Sequence, residues 1–176
     1  LNYFFKLLSN FLKKNKIKKI IIGYDTRESF NKILEIIIKN LSSKIKIEIL
    51  NKPVPTPCIH YLAKKNKNCF LVMITASHFE KNFNGFKFFY DGKKITKKIE
   101  REILKNKDQD RVFKDKNNKF IRSNKYLQYC KYLNKKFKKK NKRNRIGLDF
   151  GNGGAASLIN NINFLRNIKK TNYKFN

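Results

Sequence analysis

Two short segments of this chain hold residue types that could do chemistry. In the first, Ser77 and His78 follow the apolar run Leu71-Val72-Met73-Ile74, and Asn84-Gly85-Phe86-Lys87 comes shortly after. The second, Asp25-Thr26-Arg27, follows another apolar run, Ile20-Ile21-Ile22-Gly23. A serine placed where a strand ends is an exposed hydroxyl on a rigid support, which is where loops commonly carry function. The lysine and arginine could offset the charge of a phosphate or carboxylate, Arg27 as a rigid fork. The serine loop also reads as an ordinary connection between strands. His78 reads equally as a group that orients the serine or as a packed loop histidine, and Lys87 as a catalytic cation or as one more solvated lysine.

The pattern of apolar residues supplies the elements that would position these groups. Phe4, Leu7, Leu8, Phe11 and Leu12 make one helical stripe over residues 2–15. Residues 19–23 form a short continuous apolar strand of the kind buried on both faces. Ser29 is placed to cap a helix with Ile33, Ile36, Ile37 and Leu41 as its stripe. Ile45, Ile47 and Ile49 alternate as a strand. Pro53, Pro55 and Pro57 stiffen the next connection, and Pro57 suits the first turn of a helix running to Lys65. Further strands are expected at 69–74 and 85–90, and a polar helix from Thr96 to about Asn106.

Strand and helix alternate, so the predicted class is α/β: a mostly parallel sheet with helices on both faces. Such sheets bind ligands beyond the carboxyl ends of their strands. Asp25-Thr26-Arg27 and Ser77-His78 both fall at such ends, so one rim should carry both. Residues 107–122 read as a charged linker. A helix at 124–137, with Tyr126, Leu127, Cys130 and Leu133 inward, and a strand at 146–150 then begin a second α/β domain over 123–176. The basic run 135–145 reads as a solvated loop. Gly151-Asn152-Gly153-Gly154 fits neither common phosphate-loop pattern and reads as a tight strand-to-helix turn.

Several segments in order resemble the α-D-phosphohexomutases. Thr75-Ala76-Ser77-His78, Asn84-Gly85-Phe86-Lys87-Phe88-Phe89 and Asp91-Gly92 are similar to the family's phosphoserine signature. Ile20 to Arg27 is similar to its I-I-G-x-D-T-R segment, and Val54-Pro55-Thr56-Pro57 with Tyr61-Leu62 to its P-T-P helix start. Lys125 to Lys131 and Gly147 to Gly153 resemble the opening of its second domain. Phe88-Phe89, Asp91-Gly92 and the Tyr-Cys-Lys helix look most like the phosphoglucosamine mutases. Residues 1–106 would then be the family's first domain, without its extreme amino terminus, and the chain would be a piece of a longer protein.

The resemblance implies a mutase that interconverts hexose 6- and 1-phosphates, with glucosamine phosphate as the sugar expected first and phosphomannomutase or phosphoglucomutase activity as the alternative. Ser77 would carry the phosphoryl group and lend it to the sugar monophosphate, passing through a bisphosphate. Arg27, His78 and Lys87 would complete the catalytic set. Phosphoserine carries about −1.5 to −2 charge at neutral pH, and the resemblance implies Mg2+ bound through the Ser77 phosphate. Three departures stand out. Phe79-Glu80 replaces the family's Asn-Pro, and Phe30 replaces its usual glycine. The family's D-G-D-x-D metal loop lies outside these residues, so this stretch alone should lack turnover.

Composition limits the other readings. A net charge of +31 suits a basic nucleic-acid-binding module, the alternative from a different class. Yet only seven of the 43 basic residues are arginine, and lysines are spread over nearly every segment beside 24 asparagines, as A/T-rich coding would give. No specific nucleic-acid partner is therefore expected. Cys58, Cys69 and Cys130 lack metal-ligand spacing and read as buried thiols in a reducing compartment. No apolar run approaches the roughly 20 residues of a membrane span, so neither a membrane partner nor export is expected, and the predicted location is cytoplasmic. The sequence leaves the oligomeric state open.

Overall fold

The computed structural model describes residues 1–80, 82–105, 119–137, 147–165 and 169–171. Its centre is a six-stranded sheet in the order β5-β4-β3-β1-β2-β6. The strands are β1 (Lys19–Tyr24), β2 (Lys46–Leu50), β3 (Phe70–Ile74), β4 (Phe86–Tyr90), β5 (Lys93–Lys94) and β6 (Phe120–Ser123). β1 runs parallel to β2 and β3, and β2 parallel to β6. β4 turns back antiparallel on β3, and β5 on β4.

The apolar stripes decide which helix covers which face. Phe5, Leu8, Phe11 and Leu12 of α1 (Asn2–Lys14) are buried with Ile33, Leu34 and Ile37 of α2 (Phe30–Asn40) and Ile103 of α4 (Lys97–Lys105). They meet Ile20, Ile22, Ile47, Ile49, Phe70 and Val72, the residues of one sheet face. The opposite face presents Ile21, Leu50, Leu71 and Met73 to Cys58, Ile59 and Leu62 of α3 (Thr56–Lys65). Helices thus cover both faces, as the alternating pattern required. The second core continues into Tyr126 and Cys130 of α5 (Tyr126–Lys136) and into Leu158 and Ile162. Segments expected to open a second domain therefore share an apolar core with the first.

The structure departs from the sequence reading at three places. Phe120–Ser123, placed within the linker, adds a parallel strand to the sheet edge; its residues are mostly exposed, so no apolar pattern announced it. Residues 107–118 of that linker, residue 106 before it, and 138–146, which hold most of the basic run, lie outside the described residues. The helix after Gly151–Gly154 is a 3-10 helix at Gly154–Asn161, next to a small parallel pair of β7 (Gly147–Asp149) and β8 (Lys169–Thr171). Ser29 stands at the N-cap of α2, but its hydroxyl makes no cap bond there and donates instead to Asn84 Oδ1 at 2.7 Å.

β2 carries a residue that simple alternation would place in solvent. Glu48 is buried between Lys19 of β1 and Lys125, and it accepts from Lys125 Nζ at 2.8 and 2.9 Å. Burial alone would raise its carboxyl, but hydrogen bonds from Lys125 and Lys19 outweigh that and hold it at about 2.

Candidate active site

β1 and β3 lie side by side, with Tyr24 opposite Ile74, so the loops that follow them leave the same rim of the sheet. The Asp25 amide donates to the Ile74 carbonyl at 3.1 Å, tying the two loops at their roots. β3 ends three residues before the serine. Thr75 is buried, its amide donates to the Gly85 carbonyl at 2.9 Å, and its Oγ1 accepts from the Ser77 amide at 3.1 Å. Ser77 has a φ of +57°, a left-handed conformation uncommon for a residue with a β-carbon, and it is exposed. The chain turns here, just past the end of β3, and leaves the serine in solvent.

Arg27 reaches into this loop from the β1 side. Its Nε donates to Asp25 Oδ2 at 3.3 Å. One terminal nitrogen donates to the carbonyls of Glu80 and Phe83 at 2.6 and 3.1 Å, the other to those of Phe79 and Ser77 at 2.7 and 3.3 Å. The Arg27 amide also donates to Asp25 Oδ1 at 3.1 Å, so one carboxylate holds both the backbone and the side chain of the arginine.

These loops border a cleft of about 1260 Å³. Its lining includes Asp25, Thr26, Arg27 and Lys32, Ser77 and Phe79, and Pro55, Thr56 and residues 151–154. The glycine run is a turn, as its pattern suggested: Gly151 and Asn152 have φ of +50° and +55°. It closes the cleft because Gly154 comes so near the backbone of Val54 that a β-carbon would sit 2.8 Å from the Val54 carbonyl oxygen. Thr26 Oγ1 donates to the Asn152 carbonyl at 3.0 Å, binding this wall to the Asp-Thr-Arg loop.

Lys87 projects from β4, opposite Met73 of β3, and is half-buried. Its ammonium donates to Thr56 Oγ1 at 3.5 Å, at the first turn of α3 on the cleft wall. Lys87 and Ser77 together line a smaller adjoining cavity of about 300 Å³. The structure therefore brings Ser77, Arg27 and Lys87 to one place. His78 lies apart from them: it is exposed, lines neither cavity, and stacks on Phe79 with ring centres 5.1 Å apart. His60 stacks on Phe89 at 5.6 Å, a packing contact.

Sequence reading gave no individual role to Thr26, Thr56, Asn84 or Asn152, although all four hold the site together. Thr26 and Thr56 stood inside recognised segments. Asn152 had a usable signal, since asparagine among glycines tolerates a positive φ.

The fit of a magnesium ion can be tested on the donors present. Among the described residues no group of three or more His, Cys, Asp or Glu side chains is arranged to hold a metal ion. Asp25, the carboxylate at the root of the arginine loop, is already bound to Arg27. These residues alone do not make a magnesium site.

A doubly covered α/β sheet whose carboxyl rim presents a serine in a polar cleft defines a ligand-binding α/β/α domain. The chain belongs to the phosphoglucomutase/phosphomannomutase family: residues 2–112 match its alpha/beta/alpha domain I. It is 42% identical over 91 residues to a phosphoglucosamine mutase of Prochlorococcus marinus (strain MIT 9215), covering 51% of this chain and 20% of that protein. It is 34% identical over 171 residues to one from Fusobacterium nucleatum, covering 92% of this chain and 37% of the relative. Its fold superposes on a putative phosphomannomutase from Thermus thermophilus with a TM-score of 0.74 at 21% identity, over 95% of this chain and 40% of that one. The chain thus spans between a fifth and two fifths of these relatives.

Proposed function

We propose that this chain supplies the phosphoryl-carrying domain of a cytoplasmic phosphohexomutase, with Ser77 as the carrier and glucosamine phosphate as the sugar. The reading rests first on one observation: Ser77 is held exposed, in a left-handed turn, within a cleft whose walls also bear Arg27 and Thr56. The names of the relatives support the choice of sugar.

In this scheme the bond between phosphorus and Ser77 Oγ breaks as a bond to the free hydroxyl of the sugar monophosphate forms. The sugar hydroxyl's proton ends on the serine oxygen as that oxygen leaves, restoring the serine hydroxyl, and the resulting bisphosphate returns its other phosphoryl group to Ser77 by the reverse exchange. Transfers of this kind depend chiefly on positioning and on offsetting charge. Lys87, sharing the smaller cavity with Ser77, is the cation placed to do so. His78, exposed and stacked on Phe79, has the weaker geometric support.

The test is phosphoryl labelling in an intact protein that contains these residues. Incubation with a hexose 1,6-bisphosphate should add a single phosphoryl group, found by mass spectrometry on the peptide bearing Ser77. Ser77→Ala should abolish both label and mutase turnover. Labelling at Thr75 or Ser29 with Ser77→Ala still active would sink the mechanism, and faster turnover with mannose or glucose phosphates than with glucosamine phosphate would reassign the sugar.

A further inference from the structure

We propose that Arg27 is a positioning residue, a clamp that sets the backbone of the serine loop and leaves the substrate to other groups. The inference deepens the reading of Ser77 as phosphoryl carrier and rests on it for its catalytic consequence, while its structural part can be tested separately.

The donor inventory carries the proposal. A guanidinium has five N–H groups and no acceptor. Here all five are committed: one to Asp25 and four to the main-chain oxygens of Ser77, Phe79, Glu80 and Phe83. The Arg27 side chain is only 12% exposed, and Asp25 holds its Nε through Oδ2 while Oδ1 accepts from the Arg27 main-chain amide. To grip a phosphate, Arg27 would have to release the loop that carries the serine. Its positive charge still acts on Ser77, but through fixed placement rather than contact with the sugar.

The identity of the acceptors has a second consequence. Because all four loop acceptors are backbone carbonyls, the clamp is indifferent to the side chains at positions 79 and 80. Phe79 is 60% exposed, and its ring packs against those of His78 and Phe83 while only its main-chain carbonyl meets the guanidinium in the hydrogen bonds above. The loop can therefore keep its path with Phe79-Glu80 where the family has Asn-Pro. Lysine could not stand in for Arg27, since its compact ammonium offers three donors and no planar fork.

Two measurements on the intact protein decide the matter. The first is amide hydrogen exchange at Phe79 and Phe83, whose N–H groups are bonded to the carbonyls of Ala76 and Glu80 at 3.1 and 3.0 Å. Arg27→Lys and Arg27→Gln should each speed exchange at these two amides by about tenfold or more while Ile21 and Val72 in the sheet stay protected. Phe79→Asn should leave the Phe83 amide unchanged. Unaltered loop exchange in both Arg27 variants would overturn the clamp.

The second measurement is the kinetics of Ser77 labelling by a hexose 1,6-bisphosphate. Arg27→Lys should lower the maximal labelling rate by about tenfold or more, with the half-saturating bisphosphate concentration unmoved. The opposite pattern, half-saturation raised and maximal rate kept, would overturn the clamp by assigning Arg27 to the substrate. Should Ser77 in the unaltered protein take no label, the phosphoryl-carrier reading fails, and the exchange data still decide the clamp.

Discussion

Thr75 and Gly85 are locked together: the Thr75 amide donates to the Gly85 carbonyl at 2.9 Å, and a β-carbon on Gly85 would stand 2.8 Å from the Thr75 carbonyl oxygen. The obstructing atom is backbone and cannot swing aside. Gly85→Ala should therefore push β3 and β4 apart at the root of the serine loop. Overpacking of this kind destabilises by about 1–3 kcal/mol, which urea denaturation would measure. Ser77 lies two residues beyond Thr75, so under the phosphoryl-carrier reading its labelling should slow as well. Unchanged stability would show that the hairpin absorbs the methyl group.

In sequence Phe30 is a departure, a bulky ring where the resemblance expects the family's glycine. The structure gives it a place: it is buried at the start of α2 and stacks on Tyr24 with ring centres 3.6 Å apart and planes 9° from parallel. Burial also pushes the Tyr24 hydroxyl above its usual range. Phe30→Ala should lower stability by about 3 kcal/mol, as truncation of a buried aromatic ring does. Thermal unfolding checks this, with loss of the high Tyr24 titration as a second sign.

What could be read from sequence follows the range of the forces involved. The strands at 19–24, 46–50 and 70–74 and the helices α1 to α3 are written in apolar periodicity, because each buries a face that only such a pattern can make. The shared rim of Asp25-Thr26-Arg27 and Ser77 follows from parallel pairing alone. Other features depend on long-range partners that no local window contains. Glu48 is buried because Lys19 and Lys125 meet there, residues 29 and 77 positions away in sequence. β6 is a strand because β2 offers an open edge. Arg27 was legible as an arginine beside a site, but its partners are backbone carbonyls some 50 residues on, which side-chain identity cannot encode.

Glu48 should make the fold acid-sensitive in a defined window. Its folded value of about 2 lies below the ordinary 4.5. The ionised form thus favours the folded chain fully above pH 4.5, and that stability is lost as pH falls from there toward 2. The shift corresponds to about 3 kcal/mol. Glu48→Gln leaves Lys19 and Lys125 without their anion. It should destabilise the protein at pH 7 by about 3 kcal/mol and flatten stability across the same acid window. Denaturation at pH 7 and pH 3 compares the two proteins, and parallel acid limbs would show that Glu48 is not the controlling group.

Lys87 separates charge from packing at the site. It is half-buried on β4, and its ammonium makes only a long bond, 3.5 Å, to Thr56 Oγ1. Methionine is an unbranched, uncharged side chain that fits irregular sites, so Lys87→Met should keep most of the packing and remove the cation. Unfolding should shift by less than about 1 kcal/mol, as isosteric replacements do. Under the phosphoryl-carrier reading, the same change should slow transfer from Ser77 by about 10²–10³-fold, the usual loss when a preplaced group that offsets developing charge is removed. Lys87→Arg keeps the charge but moves it, and should fall between. The measurement is single-turnover transfer from labelled Ser77 to the sugar monophosphate, beside a melting curve of each variant. A Lys87→Met protein that melts normally and transfers at the unaltered rate would place the compensating charge elsewhere, with Lys32, which lines the larger cleft, the next cation to replace.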